Sequence, residues 1–248
     1  MLRKFIPHAR FINATLRQLR SILLPSTCFL CGYAASFDSV ICSPCRNDLT
    51  ILSHGCQICA QFLASSQRED LICGACLKNK PPFDRVCALF PYEPPAANFI
   101  IKLKFQHDLC MATLLGKLLS ERIQTTWYQA KPLPDLIIPV PLHAHRLRER
   151  GFNQALEIAK IIGKTLAIPV DCRGTARIKE TAAQSGLSAQ KRKQNMMNAF
   201  IAHRDYADLT LAVVDDVMTT GHTITAFCQL LKQQQAKKID IWCAARRR

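Results

Sequence analysis

Long apolar runs are missing from this sequence, and their absence excludes one class of protein. Apolar types make up 49% of the 248 residues, yet no segment approaches eighteen uninterrupted apolar positions. We therefore expect no transmembrane helix. The N-terminal segment also lacks an apolar run because Pro7, His8 and Arg10 interrupt it, which argues against a secretory signal. A cytoplasmic protein is the simplest expectation.

Acidic residues are scarce relative to basic ones. The chain has 18 Asp and Glu against 33 Lys and Arg, which gives a formal net charge of +15. Such a balance is expected of a protein that handles phosphate-rich ligands, including nucleic acid. The charge alone does not separate a nucleotide sugar from a DNA strand. At 248 residues, the chain is long enough for one substantial α/β domain and a small module.

Cysteine is abundant instead, and most of it occurs in closely spaced pairs. Eight of the thirteen cysteines form four Cys-x-x-Cys pairs. These candidate metal ligands are Cys28, Cys31, Cys42, Cys45, Cys56, Cys59, Cys73 and Cys76. Two such pairs can close one tetrahedral site of four cysteines, so the spacing predicts two structural zinc ions. Sequential and cross-braced pairing both fit the spacing, whereas a redox role would need a βαβ context that the sequence does not show.

The remaining cysteines and the N-terminal segment carry weaker signals. The other five cysteines are scattered in apolar surroundings, which predicts buried positions. They are Cys87, Cys110, Cys172, Cys228 and Cys243. Residues 1–24 place leucine and isoleucine at helical spacing with interleaved arginine, a pattern typical of a basic amphipathic helix. That helix could face a membrane or DNA, or pack on the rest of the protein, which we favour.

One stretch, from Leu211 to Thr223, combines a strand, a loop and the start of a helix. Four apolar residues, Leu211 to Val214, predict a buried parallel strand, and two carboxylates, Asp215 and Asp216, stand where it would end. The helix start that follows can surround a monophosphate with backbone N–H groups and threonine hydroxyls. Two adjacent carboxylates can accept hydrogen bonds from two vicinal hydroxyls. The stretch therefore predicts a pocket for a ribose 5-phosphate.

The same thirteen positions resemble the phosphoribosyl pyrophosphate (PRPP) motif of type I phosphoribosyltransferases. The resemblance implies an α/β fold with a Rossmann-like parallel sheet flanked by helices. It also implies that Asp215 and Asp216 hold the ribose 2- and 3-hydroxyls. The residues implied to hold the 5-phosphate are Val217, Met218, Thr219, Thr220, Gly221, His222 and Thr223.

A second predicted strand, at residues 136–140, leads into a strongly basic segment before the next helix. Strand ends of a parallel sheet share one edge, so this predicted loop can lie opposite the acidic pair and receive a second phosphate group. A solvated basic turn is the alternative. In type I phosphoribosyltransferases the corresponding loop holds the pyrophosphate. The candidates from this segment, with one earlier lysine, are Lys104, Arg146, Arg148, Arg150 and Gln154.

The polar stretch at residues 172–200 adds three further candidates for contact with pyrophosphate or DNA. They are Thr181, Gln184 and Arg192. The composition fits a mobile lid that closes over a ligand and excludes water. It fits a surface hairpin equally well.

Taken in order, these segments resemble the ComF/GntX (competence protein F-like) family of bacteria. The resemblance rests on the four cysteine pairs, on the PRPP motif and on the sequence segments at residues 138–142 and 148–154. Two spaced pairs add to it, Thr181 with Gln184 and Arg192 with Asn195. It implies three segments in order along the chain. They are the N-terminal helix at 1–24, a double zinc ribbon at about residues 25–80 and a phosphoribosyltransferase-like domain at 84–248. Members are linked to natural transformation, in the handling of incoming single-stranded DNA at the inner face of the cytoplasmic membrane. A DNA-uptake helicase as partner and peripheral membrane association through residues 1–24 are further expectations from the family.

As an enzyme, the domain would bind PRPP with Mg²⁺ and transfer ribose 5-phosphate to a nitrogen acceptor. Asp215 and Asp216 would fix the ribose, and Arg150 would stabilise the leaving pyrophosphate. Thr219 stands where many purine-salvage enzymes carry an acidic residue, and a threonine cannot deprotonate a purine nitrogen at neutral pH. That difference weakens a hypoxanthine- or guanine-type assignment, although positioning and electrostatics can act without a base.

As a binding protein, the same pocket would grip a nucleotide or the end of a DNA strand. Phe105, Phe152 or Tyr92 could stack on bases while lysine and arginine follow the backbone. Such an affinity would fall steeply with salt. A regulator that senses PRPP without catalysis is a third alternative.

Overall fold

Two units make up the structure, a computed structural model that describes residues 26–35, 39–63, 71–179 and 198–247. The units span Met1–Leu49 and Thr50–Arg248. Among the described residues, no helix is long and apolar enough to cross a membrane. The predicted N-terminal helix at residues 1–24 lies outside the described residues.

Within residues 26–35 and 39–49, the first unit contains one small hairpin and one short helix. Strands β1 (Ser26–Thr27) and β2 (Ala34–Ala35) pair in antiparallel fashion, and helix α1 spans Ser43–Asn47. The turn between the strands needs Gly32, whose φ of 74° lies in the left-handed region that favours glycine. One cysteine pair lies in this turn and the next lies at the start of α1, so the two pairs face one another.

The second unit is built on a four-stranded, fully parallel sheet. Its strands are β3 (Arg85–Pro91), β4 (Leu136–Pro139), β7 (Thr210–Met218) and β8 (Lys238–Arg246). The spatial order is β3-β8-β7-β4, and most of their side chains are buried. Continuous apolar runs are expected in a parallel sheet that is covered on both faces. The predicted α/β fold with a parallel sheet is confirmed.

The described part of the second unit contains six α-helices, of which the four longest bury apolar residues in the core. The six helices are α2 (Gly74–Lys78), α3 (Ala96–Phe105), α4 (Leu109–Arg122), α5 (Ala144–Arg150), α6 (Gln154–Leu166) and α7 (His222–Gln233). One turn of π-helix at Ile123–Trp127 extends α4. A separate antiparallel pair, β5 (Thr175–Arg177) and β6 (Phe200–Ala202), frames the polar stretch, but residues 180–197 lie outside the described part of the chain.

The second cysteine cluster belongs to the same unit as the sheet. Cys56, Cys59 and Cys76 are part of the apolar core that β3, β7 and α7 share. The segment also pairs with β3, since the amide of Val86 donates to Ile58 O at 2.8 Å. This half of the zinc-binding region is therefore packed into the α/β core.

Two predicted features of the sheet edge differ in the structure. Asp215 and Asp216 lie within β7 and not after it, because β8 continues to pair with β7 as far as Met218. The basic segment is not a loop but helix α5. Its start is capped by His143 Nδ1, and it ends at Gly151 with a φ of 74°.

Two of the five scattered cysteines are exposed, which contradicts the predicted burial. Cys87, Cys228 and Cys243 are buried as predicted, whereas Cys110 and Cys172 are exposed. Cys110 lies in the first turn of α4 and Cys172 lies in the loop before β5, where apolar neighbours in sequence do not become neighbours in space.

Candidate functional site

Two clusters of four sulfurs provide sites for metal ions. Cys28, Cys31, Cys42 and Cys45 form one, and Cys56, Cys59, Cys73 and Cys76 form the other, with all sulfurs of a cluster within 4.8 Å of one another. The pairing is therefore sequential. Tetrahedral zinc with Zn–S of about 2.3 Å places its sulfurs about 3.8 Å apart. The observed Sγ–Sγ distances of 3.7 Å, for Cys31 with Cys42 and for Cys59 with Cys73, fit that geometry.

Backbone amides favour the thiolate form of one cysteine in each cluster, whereas burial raises the pKa of Cys59 to about 11. Burial raises the pKa of the Cys28 thiol, but amides that include that of Leu30 outweigh it and lower this pKa to about 6. The same balance lowers the pKa of Cys56 to about 7, with the amide of Cys73 donating to its sulfur at 3.3 Å. Since thiolate is the form that binds metal, both clusters suit structural zinc.

The acidic pair lies at the carboxyl edge of the parallel sheet. Asp216 is only 2% exposed, and its amide donates to Asp215 Oδ1 at 2.9 Å. Burial, and then the charge of Asp216, raises the pKa of the Asp215 carboxyl well above its ordinary value, although Lys104 acts in the opposite direction. The edge therefore carries two carboxyl groups in different electrostatic environments.

Basic and polar groups from two other elements converge on Asp216. Lys104 Nζ of α3 lies 2.5 Å from Asp216 Oδ2, and Gln154 Nε2 of α6 donates to Asp216 Oδ1 at 3.4 Å. Arg150, near the end of α5, donates to Gln154 Oε1 at 2.6 Å. Burial lowers the pKa of this guanidinium, and the Asp216 charge opposes that effect. We call Lys104, Arg150, Gln154 and Asp216 the edge cluster.

The loop between β7 and α7 presents a helix start without a side-chain cap. Gly221 occupies the N-cap position with a φ of 80°, and no side chain there accepts from the first amides of α7. Thr219 and Thr220 are exposed, and Thr220 Oγ1 lies 3.1 Å from His222 Nδ1. Amides and hydroxyls at a helix N-terminus suit an anion. We call residues 217–223 the phosphate loop.

The remaining predicted site residues are distributed differently. Arg146 and Arg148 lie exposed on α5, outside the contacts of the edge cluster given above. Thr181, Gln184 and Arg192 lie outside the described residues, so their roles stay predictions.

Aromatic side chains lie beside the edge cluster. Phe105, at the end of α3, is 70% exposed, and the Arg150 guanidinium lies 5.9 Å from its ring centroid. Phe152 packs edge-on against His107 with centroids 5.8 Å apart. A flat exposed ring beside a cation is the arrangement that stacks bases.

Two residues near the site were not assigned a role from sequence. Asn153 caps α6, because its Oδ1 accepts from the amides of Ala155 and Leu156, and its side-chain Nδ2 donates to Val140 O at 3.0 Å. An Asn before an apolar helical pattern is a recognisable N-cap signal. Arg246 is a buried part of β8, and no local pattern reveals that.

Comparison with known proteins identifies both halves of the chain. A family model described as a double zinc ribbon domain matches residues 19–88, and one described as a phosphoribosyl transferase domain matches residues 149–248. Among solved structures, a purine phosphoribosyltransferase from Pyrococcus horikoshii aligns with 52% of this chain and 68% of its own, at 22% identity and a TM-score of 0.31.

Relatives of similar length extend the comparison over nearly the whole chain. The DNA utilization protein YhgH of Escherichia coli strain K12 is 33% identical over 234 residues, covering 91% of this chain and 99% of its own. Competence protein F of Haemophilus influenzae is 34% identical over 227 residues, covering 85% of this chain and 99% of its own. Competence protein ComFC of Streptococcus pneumoniae is 25% identical over 211 residues, covering 84% of this chain and 89% of its own. The chain therefore belongs to the ComF/GntX (competence protein F-like) family, in which a double zinc ribbon precedes a phosphoribosyltransferase domain.

Proposed function

We propose that this protein binds PRPP, or the ribose 5-phosphate of a nucleotide, and handles incoming single-stranded DNA in natural transformation. The observation that carries the proposal is the edge cluster beside the phosphate loop. A buried carboxylate, two cations and an uncapped helix start meet at one edge of the sheet.

Each part of the site suits one part of the ligand. The phosphate loop offers amides and hydroxyls to a monophosphate. Asp215 and Asp216 offer acceptors to the two ring hydroxyls. Arg150 and Lys104 supply positive charge for a second phosphate group. A molecule with phosphates on either side of a cis-diol would fill all three.

Lys104 has two roles in this proposal. Its ammonium group neutralises Asp216 when no ligand is present, since the two charges lie 2.5 Å apart. A bound diphosphate would compete for the same ammonium group and leave the Asp216 oxygens available to the ribose hydroxyls. The carboxylate oxygens of Asp215 and Asp216 are also ligands of the hard type that Mg²⁺ takes. That ion would neutralise charge on the diphosphate.

The DNA-handling part of the proposal rests on other observations. Relatives carry the names competence protein F and DNA utilization protein. The net charge is +15, and the exposed ring of Phe105 lies next to Arg150. Stacking and phosphate contacts together bind single strands without sequence preference.

The deciding experiment is Asp216→Asn, with PRPP affinity measured by calorimetry and transformation efficiency measured in cells. We expect both to fall, because the neutral amide loses the Lys104 ion pair and one hydroxyl acceptor. Asp205→Asn is the matched control, since Asp205 is exposed and accepts from the amide of Ala207. Normal transformation by an Asp216→Asn protein that no longer binds PRPP would separate the pocket from DNA uptake.

Binding to oligonucleotides tests the second half of the proposal. Retention of labelled single strands should weaken steeply as salt rises, because phosphate contacts release counterions. Phe105→Ala should weaken binding by about 1–3 kcal/mol if the ring stacks on a base. Binding that is absent at moderate ionic strength would refute the DNA-handling role.

An active phosphoribosyltransferase is the second candidate, favoured by the half-buried position of Arg150 next to Gln154 and Asp216. Arg150 would stabilise the departing pyrophosphate, and Asp215 and Asp216 would place negative charge near the cationic ribose. Thr219 would supply no base, so the nitrogen acceptor would need to be nucleophilic without one. Release of pyrophosphate from PRPP with a panel of nucleobases would support this candidate. No release with any of the common bases would count against it.

A further inference from the structure

Arg246 connects the second cysteine cluster to the phosphate loop. The residue ends β8 and is only 6% exposed. Its Nε donates to Cys59 O at 3.0 Å and its Nη2 donates to Gln61 Oε1 at 2.9 Å. On the other side, Nη1 donates to Met218 O at 3.0 Å and also to Thr219 O. One buried guanidinium therefore joins the two segments.

The cysteine side of this connection is a tight turn whose shape depends on the cluster. The amide of Ala60 donates to Cys56 O, and the amide of Cys56 donates to Gln61 O, each at 2.8 Å. Both Cys56 and Cys59 belong to the four-sulfur cluster. A metal ion that binds those sulfurs would hold the carbonyl of Cys59 and the side chain of Gln61 where Arg246 finds them.

The loop side of the connection determines which way two amides point. A trans peptide unit is planar, with its C=O and N–H on opposite sides. Because Arg246 holds the carbonyls of Met218 and Thr219, the N–H groups of Thr219 and Thr220 in the same peptide units point away from it. These two N–H groups belong to the phosphate loop. The guanidinium therefore helps to set their direction, together with the amide of Arg247, which donates to Met218 O at 3.0 Å.

We propose that Arg246 is a positioning residue that makes phosphate binding depend on metal at the second cysteine cluster. If that metal is lost, the turn at Cys59 loosens and two acceptors of a buried cation are withdrawn. An unsatisfied buried donor is costly, so the guanidinium moves toward water and releases the Met218 and Thr219 carbonyls. The first cluster lies in the other unit, so its metal serves as the comparison. The inference rests on the proposed function for its ligand.

The experiment compares five versions of the full chain: wild type, Arg246→Met, Arg246→Lys, Cys59→Ser and Cys31→Ser. Zinc content, PRPP affinity by calorimetry and amide hydrogen exchange of peptides over 217–222 are measured on each. Arg246→Met should keep two zinc ions yet bind PRPP about tenfold or more weakly and exchange faster in the loop. Arg246→Lys should have a PRPP affinity and a loop exchange rate between those of Arg246→Met and wild type, because an ammonium can still donate to two carbonyls.

The cysteine variants form the matched pair. Each should lose one zinc ion, but only Cys59→Ser should show the weaker PRPP binding and the faster loop exchange. Wild-type affinity and exchange in Arg246→Met would overturn the inference. So would equal defects in Cys31→Ser and Cys59→Ser.

A failure of the proposed ligand is distinguishable from a failure of the inference. If wild type does not bind PRPP, the proposed function falls, yet hydrogen exchange still tests the connection. Faster exchange of 217–222 in Cys59→Ser alone would then support it, and unchanged exchange would overturn it. If Arg246→Met does not fold, Gln61→Leu replaces it, because that change removes one acceptor and leaves the guanidinium. Faster loop exchange in Gln61→Leu supports the inference, and wild-type exchange overturns it.

Discussion

At the scale of single residues, Asp171 shows how one carboxylate organises a turn. It accepts from the amides of Arg173 and Gly174 at 3.1 and 2.7 Å, and from the Tyr206 hydroxyl at 3.0 Å. Arg204 adds an ion pair at 3.3 Å. Burial would raise the pKa of Asp171, but these donors outweigh it and lower the pKa below the ordinary value.

Asp171→Asn should therefore make the free energy of unfolding less dependent on pH in the acid range. A carboxylate whose pKa is lower in the folded state stabilises it above the unfolded pKa, and that contribution fades as pH falls through the folded pKa. We expect the variant to be less stable than wild type by about 1 kcal/mol at pH 7. The difference should shrink once the pH drops below the ordinary value of 3.8. Urea unfolding of both proteins at matched pH measures it, and effects of acid on metal binding cancel in the comparison. A difference that stays constant down to pH 2 would contradict the mechanism.

At the scale of elements, helix α6 places Gln154 at the carboxyl edge of the sheet. It packs against α4, β4 and β7, and its first residue, Gln154, touches Asp216. The α4 and α6 helices approach closely because Gly116 lies opposite Ile161. A Cβ added at Gly116 would lie 2.6 Å from Ile161 Cβ. The position of Gln154 therefore depends on the lack of a side chain on the neighbouring helix.

Gly116→Ala should push α4 and α6 apart. Overpacking at a tight contact costs about 1–3 kcal/mol, and the better helix propensity of alanine returns up to about 1 kcal/mol. We expect a net loss in the free energy of unfolding, measured with urea. Ile161→Gly is the control, because it removes the Cβ that the new methyl group would meet, so the double variant should recover most of the overpacking cost. If the two changes alter the free energy of unfolding additively, the contact between these two positions does not contribute to stability.

At the scale of the whole molecule, the two metal clusters belong to different units. In the first unit, few apolar side chains are buried among the described residues, and Cys31 is exposed. The second cluster contributes Cys56, Cys59 and Cys76 to the core of the larger unit. Metal supplies much of the stability of small modules. In a cluster that lies within a core, packing also holds the cysteines in place and slows the loss of metal.

A strong chelator should therefore remove zinc in two phases. The first ion should leave without a change in tryptophan fluorescence, because both tryptophans, Trp127 and Trp242, belong to the larger unit. The second should leave more slowly, together with a change in emission as the core loosens. Cys31→Ser, with one ion, should show only the slow phase. Loss of both ions in one step would contradict this separation.

Much of the protein could be predicted because the signals are local. Cys-x-x-Cys spacing, apolar runs of strand length and a thirteen-residue motif each depend on neighbours in the chain. They indicated two four-cysteine clusters, a parallel α/β fold and the position of the loop between β7 and α7. Errors occurred where spatial context decides: a basic segment became helix α5, and Cys110 and Cys172 proved exposed.

By itself, then, the sequence determined the fold class, the candidate metal ligands and the family, since local periodicity and motif order carry that information. The tertiary structure alone decided that the cysteine pairs close sequentially, that Lys104 meets Asp216 and that Arg246 joins a cysteine turn to the phosphate loop. These contacts link residues far apart in the chain. They arise from how strands and helices pack, and no short stretch of sequence encodes which distant partners that packing brings together.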